Sequence, residues 1–255
     1  GGPAGMQAAI VLAERGFRPI LFERRAYLGG SAVLASKAPC KGLVAEYIET
    51  QKNQLAALGV QVELNHAPTM AELRRLDPYG IFVAMGGQQI VPDIPGIDRE
   101  NVFGIEDILL GRRAIEGREV AVIGGGHVGL EVAHFLCANN KVTIVEMADE
   151  IGASVYYITK FKLLPLLREA GVTFRTGQAI AAVDDGSIRL RDTHTGQCTE
   201  LKAEAVVLAM GSRPDLAAHA AFDRNFDHVV YAGDAVRGGT MLEANRDAFA
   251  LAWEF

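Results

Sequence analysis

The chain has 255 residues, of which 49% are hydrophobic and 22% are charged, and its formal net charge is −6. This composition is typical of a globular protein with a sizeable core, and the acidic balance argues against a nucleic-acid-binding or membrane-surface protein. No apolar run reaches the roughly 18 residues of a membrane span, and no signal peptide is visible.

Helical and strand periodicities alternate along the chain, which predicts an α/β fold with parallel sheets. The predicted helices cover residues 4–15, 43–58, 70–76, 105–113, 128–138, 158–170 and 239–254. The predicted strands cover residues 19–23, 60–64, 80–84, 119–123, 142–146, 172–175, 179–183, 187–191, 204–209 and 228–231. The segment 184–209 holds two alternating strands around a Thr-Gly turn and is predicted to form a small antiparallel hairpin.

Two stretches of the chain repeat one pattern. Residues 1–23 read GGPAGMQAAIVLAERGFRPILFE, and residues 125–146 read GGHVGLEVAHFLCANNKVTIVE. Each has a glycine turn, an apolar helix, a β-branched strand and a final glutamate. GIFVAMGG and AVVLAMGS follow the two copies, at residues 80–87 and 205–212. The repeat predicts two similar modules in the same order.

The second copy contains a complete dinucleotide-binding motif. Gly124, Gly126 and Gly129 have G-x-G-x-x-G spacing between a predicted strand and a predicted helix. The first glycine permits a tight turn, the second lets a pyrophosphate approach the backbone, and the third lets the helix pack on the strand. Glu146 follows at the distance where a carboxylate can accept hydrogen bonds from both ribose hydroxyls. We therefore predict nucleotide binding here.

The first copy matches only from the second glycine onward, so that Gly2 and Gly5 correspond to Gly126 and Gly129. The first glycine and its strand would precede Gly1, and we therefore expect the chain to be a piece of a longer protein. Because such a strand is central in its sheet, its absence is expected to weaken the hold on the first nucleotide.

The second module is predicted to cover residues 113–211, and the Pro-rich VPDIPGID at 91–98 to lie near the domain junction. The tail from residue 212 resembles neither module and is expected to return to the first domain. The first domain would then cover residues 1–112 and 212–255, with the second inserted in it.

These features resemble the FAD/NAD(P)-binding two-domain flavoproteins. FERRAYLGG, VPDIPGID, VTIVEMADEIG and LEANRDAFALAW are similar to the C-terminal flavoprotein portion of the 2,4-dienoyl-CoA reductase, enoate reductase and trimethylamine dehydrogenase family. The resemblance implies two Rossmann-like domains, with FAD in the first module and a nicotinamide nucleotide in the inserted one. It also implies hydride transfer from the nicotinamide to the flavin, in which orientation dominates. We assign no catalytic acid, base or nucleophile.

The resemblance implies further contacts with FAD. Glu23 would bind the adenosine ribose, Gly30 would lie near the pyrophosphate, and Asp234 would hold the ribityl chain or a phosphate. The helix beginning near residue 239 would point at the flavin. The glycines of the late Gly-Asp pair and of the AMG repeats complete the predicted cofactor contacts: Gly233, Gly86 and Gly211.

The cysteines argue against disulfide reduction and against a metal site. Cys40, Cys137 and Cys198 are far apart and form no Cys-x-x-Cys pair. Ser31 stands where related disulfide reductases carry a redox cysteine motif. We expect free thiols in a reducing cytoplasm and no metal ligands.

The residues near Glu146 favour NADH over NADPH, because a 2′-phosphate would meet like charge and Met147 supplies no compensating cation. Arg213 could fold back, which leaves NADPH open. His127 occupies a turn position where related enzymes place an aromatic residue over the nicotinamide pocket, and a solvated turn histidine is the alternative. Glu131 matches a family glutamate near the flavin, or is an ordinary glutamate near a helix N-terminus.

Full-length members of the resembled family also carry an upstream FMN barrel and an iron–sulfur cluster. The resemblance therefore implies that electrons pass from NADH through FAD to that barrel, which would reduce enoyl-type substrates. Two alternatives stay open: a free-standing reductase of a ferredoxin-like protein acceptor, and a non-catalytic nucleotide-binding redox sensor.

Overall fold

The computed structural model describes residues 1–255, and the predicted α/β class is confirmed. All of the predicted helices and strands are present, together with short elements that the periodicity does not predict. No helix combines the length and the apolar character needed to cross a bilayer. The helices are α1 Pro3–Glu14, α2 Gly30–Lys37, α3 Gly42–Ala57, α4 Met70–Arg75, α5 Ile105–Leu109, α6 His127–Leu136, α7 Tyr157–Glu169, α8 Leu216–Asp223 and α9 Met241–Glu254.

The strands are short, and most of them follow or precede a helix, as expected of parallel α/β units. They are β1 Ile20–Glu23, β2 Gln61–Leu64, β3 Ile81–Val83, β4 Gln88–Gln89, β5 Val102–Gly104, β6 Glu119–Ile123, β7 Lys141–Val145, β8 Thr173–Arg175, β9 Gln178–Val183, β10 Ser187–Asp192, β11 Cys198–Lys202, β12 Ala205–Leu208, β13 Ser212–Arg213 and β14 Val229–Tyr231.

The chain divides into two compact units. The second unit comprises residues 89–211 and the short segment 37–40, and the first unit comprises the remainder. The boundary predicted near residue 112 therefore lies inside the second unit, because β5 forms a parallel pair with β12. The segment of β5 has only two consecutive apolar residues, Val102 and Phe103, between Asn101 and Gly104, so the sequence pattern did not indicate a strand there.

The second unit is built on a five-stranded parallel sheet in the order β5-β12-β6-β7-β8. A second sheet, antiparallel and ordered β11-β10-β9, contains the predicted hairpin. Alternate residues of β10, Ile188 and Leu190, are buried in a core with Val145 and Val206 of the larger sheet. This core explains why β10 alternates between apolar and polar residues, whereas β6 is apolar after Glu119 and β12 is apolar throughout.

The first unit has two separate pairs of parallel strands, β1 with β2 and β3 with β14. Helix α1 packs against Leu21 of β1 and against Ala84, directly after β3, and both residues lie within 4 Å of a Cβ placed on Gly5. Helix α1 also packs along α9, and the small residues of both helices permit this close contact. The buried small residues are Ala4, Ala8, Ala248 and Ala252.

Candidate nucleotide-binding sites

The second unit has a glycine turn between strand β6 and helix α6. Gly124 follows the strand with φ of 111°, a value that residues with a side chain rarely adopt. Gly126 is the N-cap residue of the helix and has extended backbone. A Cβ on Gly129 would overlap the carbonyl oxygen of Gly124. The turn therefore needs glycine at 124 for its conformation and at 129 for the close approach of helix to strand.

Gly126 leaves open space in front of the helix. A Cβ built on Gly126 would have no atom within 4 Å, so the space is open because residue 126 has no side chain. No side chain caps helix α6, which leaves N–H groups of its first turn available to an anion. These features fit the diphosphate of a dinucleotide.

Glu146 lies directly after strand β7 and is held by two backbone N–H groups. Its Oε2 accepts from the nitrogen of Gly125 at 2.7 Å, and its Oε1 accepts from the nitrogen of Ala148 at 2.9 Å. The carboxylate is thereby fixed beside the glycine turn, where it retains lone pairs for the hydroxyls of a ribose.

The first unit has a similar arrangement. Oε2 of Glu23 lies 3.1 Å from the amino-terminal nitrogen of Gly1, with which it forms an ion pair, and its Oε1 accepts from the nitrogen of Arg25 at 2.8 Å. Helix α1 begins after Gly2, and the nitrogen of Met6 donates to the Gly2 carbonyl at 2.9 Å. The sequence repeat is therefore a repeat of the cradle itself.

A further glycine in each unit completes the cradle and was missed by the sequence analysis. The nitrogen of Gly29 donates to the Gly1 carbonyl at 2.7 Å, and the nitrogen of Gly152 donates to the Gly125 carbonyl at 2.9 Å. Gly29 and Gly152 each lie six residues after the glutamate of their unit, within Leu-Gly and Ile-Gly pairs. Extending the internal repeat by these residues would have identified both.

Gly30 and Gly233 bring two more loops onto the cradle of the first unit. A Cβ on Gly30, whose φ is 52°, would come within 2.8 Å of the Gly2 Cα. A Cβ on Gly233 would lie 3.0 Å from the Cβ of Ala4, in the first turn of α1. The predicted residues Gly2, Gly30 and Gly233 therefore lie together around one helix N-terminus.

Asp234 follows Gly233 and is partly buried. Ser212 Oγ donates to its Oδ2 at 3.3 Å, and the nitrogen of Gly239 donates to its Oδ1 at 3.2 Å. Burial raises the pKa of this carboxyl, and the two hydrogen bonds only partly oppose the rise. A carboxylate whose charged form is disfavoured by burial is typical of a functional site.

A cavity of about 430 Å³ opens beside Asp234 in the first unit. Arg237 and Thr240 line it, together with Glu243 of helix α9. Thr240 and Glu243 form a capping box, with Thr240 Oγ1 accepting from the nitrogen of Glu243 at 3.2 Å. The start of α9 thus lies at a cavity whose polar groups can contact a hydroxylated or charged ligand.

The other sequence-predicted residues have simpler surroundings. Gly86 and Gly211 have φ of 76° and 85°, and a Cβ on either would meet no atom within 4 Å. They follow β3 and β12 at the carboxyl ends of the strands, where ligands bind in α/β sheets. Gly5, in α1, contacts Ala84 and Leu21 as a packing residue. Whether Gly86 or Gly211 touches a cofactor remains a prediction.

His127 and Glu131 form a pair on helix α6. His127 Nε2 lies 2.8 Å from Glu131 Oε1, and Glu131 is only 7% exposed. Their pairing was not predicted, although a spacing of four residues on a helix is the spacing at which side chains meet.

The three cysteines are free, and Cys40 and Cys198 are exposed. No group of three or more His, Cys, Asp or Glu side chains is arranged to hold a metal ion.

Comparison with curated proteins shows relatives that are much longer than this chain. The NADH oxidase of Thermoanaerobacter brockii is 33% identical over 260 residues, which cover 100% of this chain and 40% of the relative. The cinnamate reductase of Clostridium sporogenes is 30% identical over 258 residues, which cover 99% of this chain and 38% of the relative. The chain thus spans about two fifths of each relative.

Solved structures show the same fold. A 2-naphthoyl-CoA reductase in complex with 2-naphthoyl-CoA matches with a TM-score of 0.90 and 27% identity, over 100% of this chain and 38% of that chain. Lactococcus lactis thioredoxin reductase matches with a TM-score of 0.78 and 20% identity, over 99% of this chain and 94% of that chain. The second likeness concerns the fold alone.

The family model described as pyridine nucleotide-disulphide oxidoreductase matches residues 1–228. Together with the two glycine cradles, this match shows that the chain belongs to the pyridine nucleotide-disulphide oxidoreductase family and is a flavoprotein oxidoreductase module for FAD and a nicotinamide nucleotide.

Proposed function

We propose that the chain transfers hydride from NADH, bound by the second unit, to FAD, bound by the first unit, and passes the electrons to an acceptor in a longer protein. The observation that carries this proposal is the duplicated cradle, in which Glu23 and Glu146 each bind the backbone nitrogens of their own unit. Two such cradles in one chain match two dinucleotides that exchange electrons.

A partly buried carboxylate and a cavity beside the first cradle support this assignment of the nucleotides. Asp234 and the cavity beside it belong to the first unit, where the carboxylate can accept from the hydroxyls of a ribityl chain.

Bound FAD supplies the capacity to accept a hydride and release electrons. The residues of this chain contribute binding and orientation. The glycine turns admit the diphosphates, Glu23 and Glu146 orient the ribose groups, and the N-terminus of α9 favours negative charge on a ring placed beside it. Hydride transfer from NADH to FAD requires no proton from a protein side chain.

We propose NADH rather than NADPH as the reductant. A 2′-phosphate would approach the carboxylate of Glu146, and the same loop carries Asp149 and Glu150. The two neighbouring groups that can carry a positive charge already contact these carboxylates, Lys160 at Glu150 and His194, when protonated, at Asp149. Repulsion between these groups and a further phosphate therefore favours NADH.

We infer the acceptor of the electrons from the names and lengths of the relatives. Both reductases named above act, by name, on unsaturated acids or acyl-CoA compounds, and both extend well beyond the part that this chain matches. We propose that a further part of a longer protein, an FMN and iron–sulfur barrel, takes electrons from FAD and reduces an enoyl-type substrate. A reductase of a ferredoxin-like acceptor would use the same two cradles.

The test is an anaerobic titration of the FAD-loaded chain with NADH and with NADPH. We expect the visible flavin absorption to be lost on addition of one equivalent of NADH, and NADPH to reduce the flavin at least about tenfold less efficiently. Equal use of the two nucleotides would contradict the NADH preference. A chain that binds FAD and NADH without flavin reduction would contradict the enzymatic proposal and favour a redox sensor.

A further inference from the structure

The hairpin of the second unit ends on the loop that carries the ribose-binding glutamate. We call residues 192–197, which join β10 to β11, the hairpin tip, and residues 146–150 the ribose loop. Thr193 Oγ1 lies 3.4 Å from the Met147 carbonyl oxygen and 3.1 Å from that of Gly177. The nitrogen of Thr193 also donates to the Gly177 carbonyl at 2.8 Å. The tip therefore contacts the ribose loop and the turn beneath it.

A side-chain pair adds to these contacts. His194 Nε2 lies 2.6 Å from Asp149 Oδ1. The tip is itself held in shape by Asp192, whose Oδ1 accepts from the nitrogens of His194 and Thr195 at 2.9 and 2.7 Å. The histidine is thus presented to the loop by a turn with its own hydrogen bonds.

The first unit holds its corresponding loop without a hairpin. In both units the turn after the next strand binds the loop backbone: Asn65 donates to Arg25, and Gly177 donates to Ala148, each at 2.9 Å. After that turn the first unit continues into helix α4, whereas the second unit continues into β9 and the hairpin. The contacts of the hairpin tip are therefore an addition to a cradle that forms without them.

We propose that the hairpin tip is a positioning element for the nicotinamide nucleotide, which holds the ribose loop in its binding conformation before the nucleotide arrives. This inference rests on the proposed function, because it assigns an exchanging nucleotide to the second cradle. A nucleotide that binds and leaves in every turnover gains affinity when the loop is already ordered, whereas a permanently bound one orders its own loop.

Two variants test the inference in the FAD-loaded chain. The first replaces residues 192–197 with the dipeptide Asn-Gly, which closes a two-residue hairpin between the paired residues Arg191 and Cys198. The second combines Thr193→Val with His194→Ala and leaves the hairpin length unchanged. Thr199→Val is the matched control, because Thr199 is an exposed residue of β11 outside the tip.

The measurement is anaerobic stopped-flow reduction of the flavin over a range of NADH concentrations, which separates the dissociation constant from the limiting rate. We expect the dissociation constant to rise about three- to tenfold in both tip variants, with the limiting rate and FAD content unchanged. The control should match the parent chain. A merely structural role would instead lower the thermal midpoint without this selective effect.

An unchanged dissociation constant for NADH in the double variant would overturn the inference even if the parent chain is reduced normally. Failure of the parent chain to be reduced would instead count against the proposed function. If the Asn-Gly replacement prevents folding, as judged by the loss of cooperative thermal unfolding, the double variant still decides the question.

Discussion

The carboxylate of Glu146 accepts a hydrogen bond from the backbone nitrogen of Gly125 at 2.7 Å. The contact joins the end of one strand to the glycine turn that follows its neighbour in the sheet. Glu23 is placed in the same way on Gly1 in the first unit. In the proposed sites, a negative group so placed would lie beside both the diphosphate and the ribose of a dinucleotide.

Removal of the Glu146 charge should weaken NADH binding and leave FAD in place. For Glu146→Gln we expect the dissociation constant of NADH to rise roughly tenfold or more, because hydrogen bonds to a charged group contribute about 1.5–3 kcal/mol each. The relative use of NADPH should rise. Glu119→Gln is the control. Glu119 begins β6 and pairs with exposed Lys141, the first residue of β7, whereas Glu146 follows the last residue of β7. Equal loss of FAD and NADH would contradict separate sites.

A methyl group at Gly129 should destabilise the second unit. For Gly129→Ala the new Cβ would overlap the Gly124 carbonyl oxygen, and we expect a loss of about 2 kcal/mol in unfolding free energy together with weakened NADH binding. Gly42→Ala is the control, because a Cβ there meets no atom within 4 Å in helix α3. Its thermal midpoint should be unchanged or slightly higher. Equal midpoints for the two variants would refute the packing role.

Asp234 is expected to be needed for FAD binding at a cost in stability. Because burial raises the pKa of its carboxyl, the charged form is unfavourable in the folded chain. Asp234→Asn should therefore keep or raise the thermal midpoint without FAD, while the dissociation constant of FAD rises about tenfold or more. Asp227→Asn, at an exposed position of the same unit, should change neither quantity. A lower midpoint with unchanged FAD affinity would show that Asp234 is only structural.

NADH binding should weaken as pH rises through the pKa of His194. The hydrogen bond and charge of Asp149 raise the pKa of His194, and Asp192 adds a smaller attraction. A raised pKa means that the pair with Asp149 is complete below about pH 6.5 and is lost as pH increases through the raised value. The dissociation constant of NADH should therefore increase over that range, by a small factor because the pair is exposed. A profile in His194→Ala identical to that of the parent chain would contradict this explanation.

Much of the fold was predictable because it depends on local patterns. The apolar periodicity of α1 and α6, the alternation in β10 and the glycine spacing at 124–129 each report on a single element or turn. Helix α2 was not predicted, because GSAVLASK consists mainly of small residues and its faces differ little in hydrophobicity. Strand β5 was not predicted, because only Val102 and Phe103 are apolar between Asn101 and Gly104.

The less predictable part of the site consists of contacts between distant segments. The bonds from Gly125 and Gly152 and from the hairpin tip depend on how loops meet after the sheets have formed. The only sign of such contacts in the sequence is equal spacing in the two repeats, as for Gly29 and Gly152. The domain boundary was misplaced for the same reason, since the pairing of β5 with β12 joins residues about a hundred positions apart.

The central claim is that each cradle holds its own nucleotide. Gly2 and Gly126 both have extended backbone that any residue can adopt, and a Cβ on either has no neighbour closer than 3.8 Å. The first atom of a side chain is therefore accommodated at both positions, and we expect Gly2→Val and Gly126→Val to fold and to place their methyl groups in the space proposed for a diphosphate.

The decisive measurement is calorimetric titration of FAD, and then of NADH, into the parent chain and these two variants. We expect Gly2→Val to lose FAD binding while NADH still binds, and Gly126→Val to lose NADH while FAD still binds. Loss of both nucleotides in both variants, or of neither in either variant, would contradict the claim.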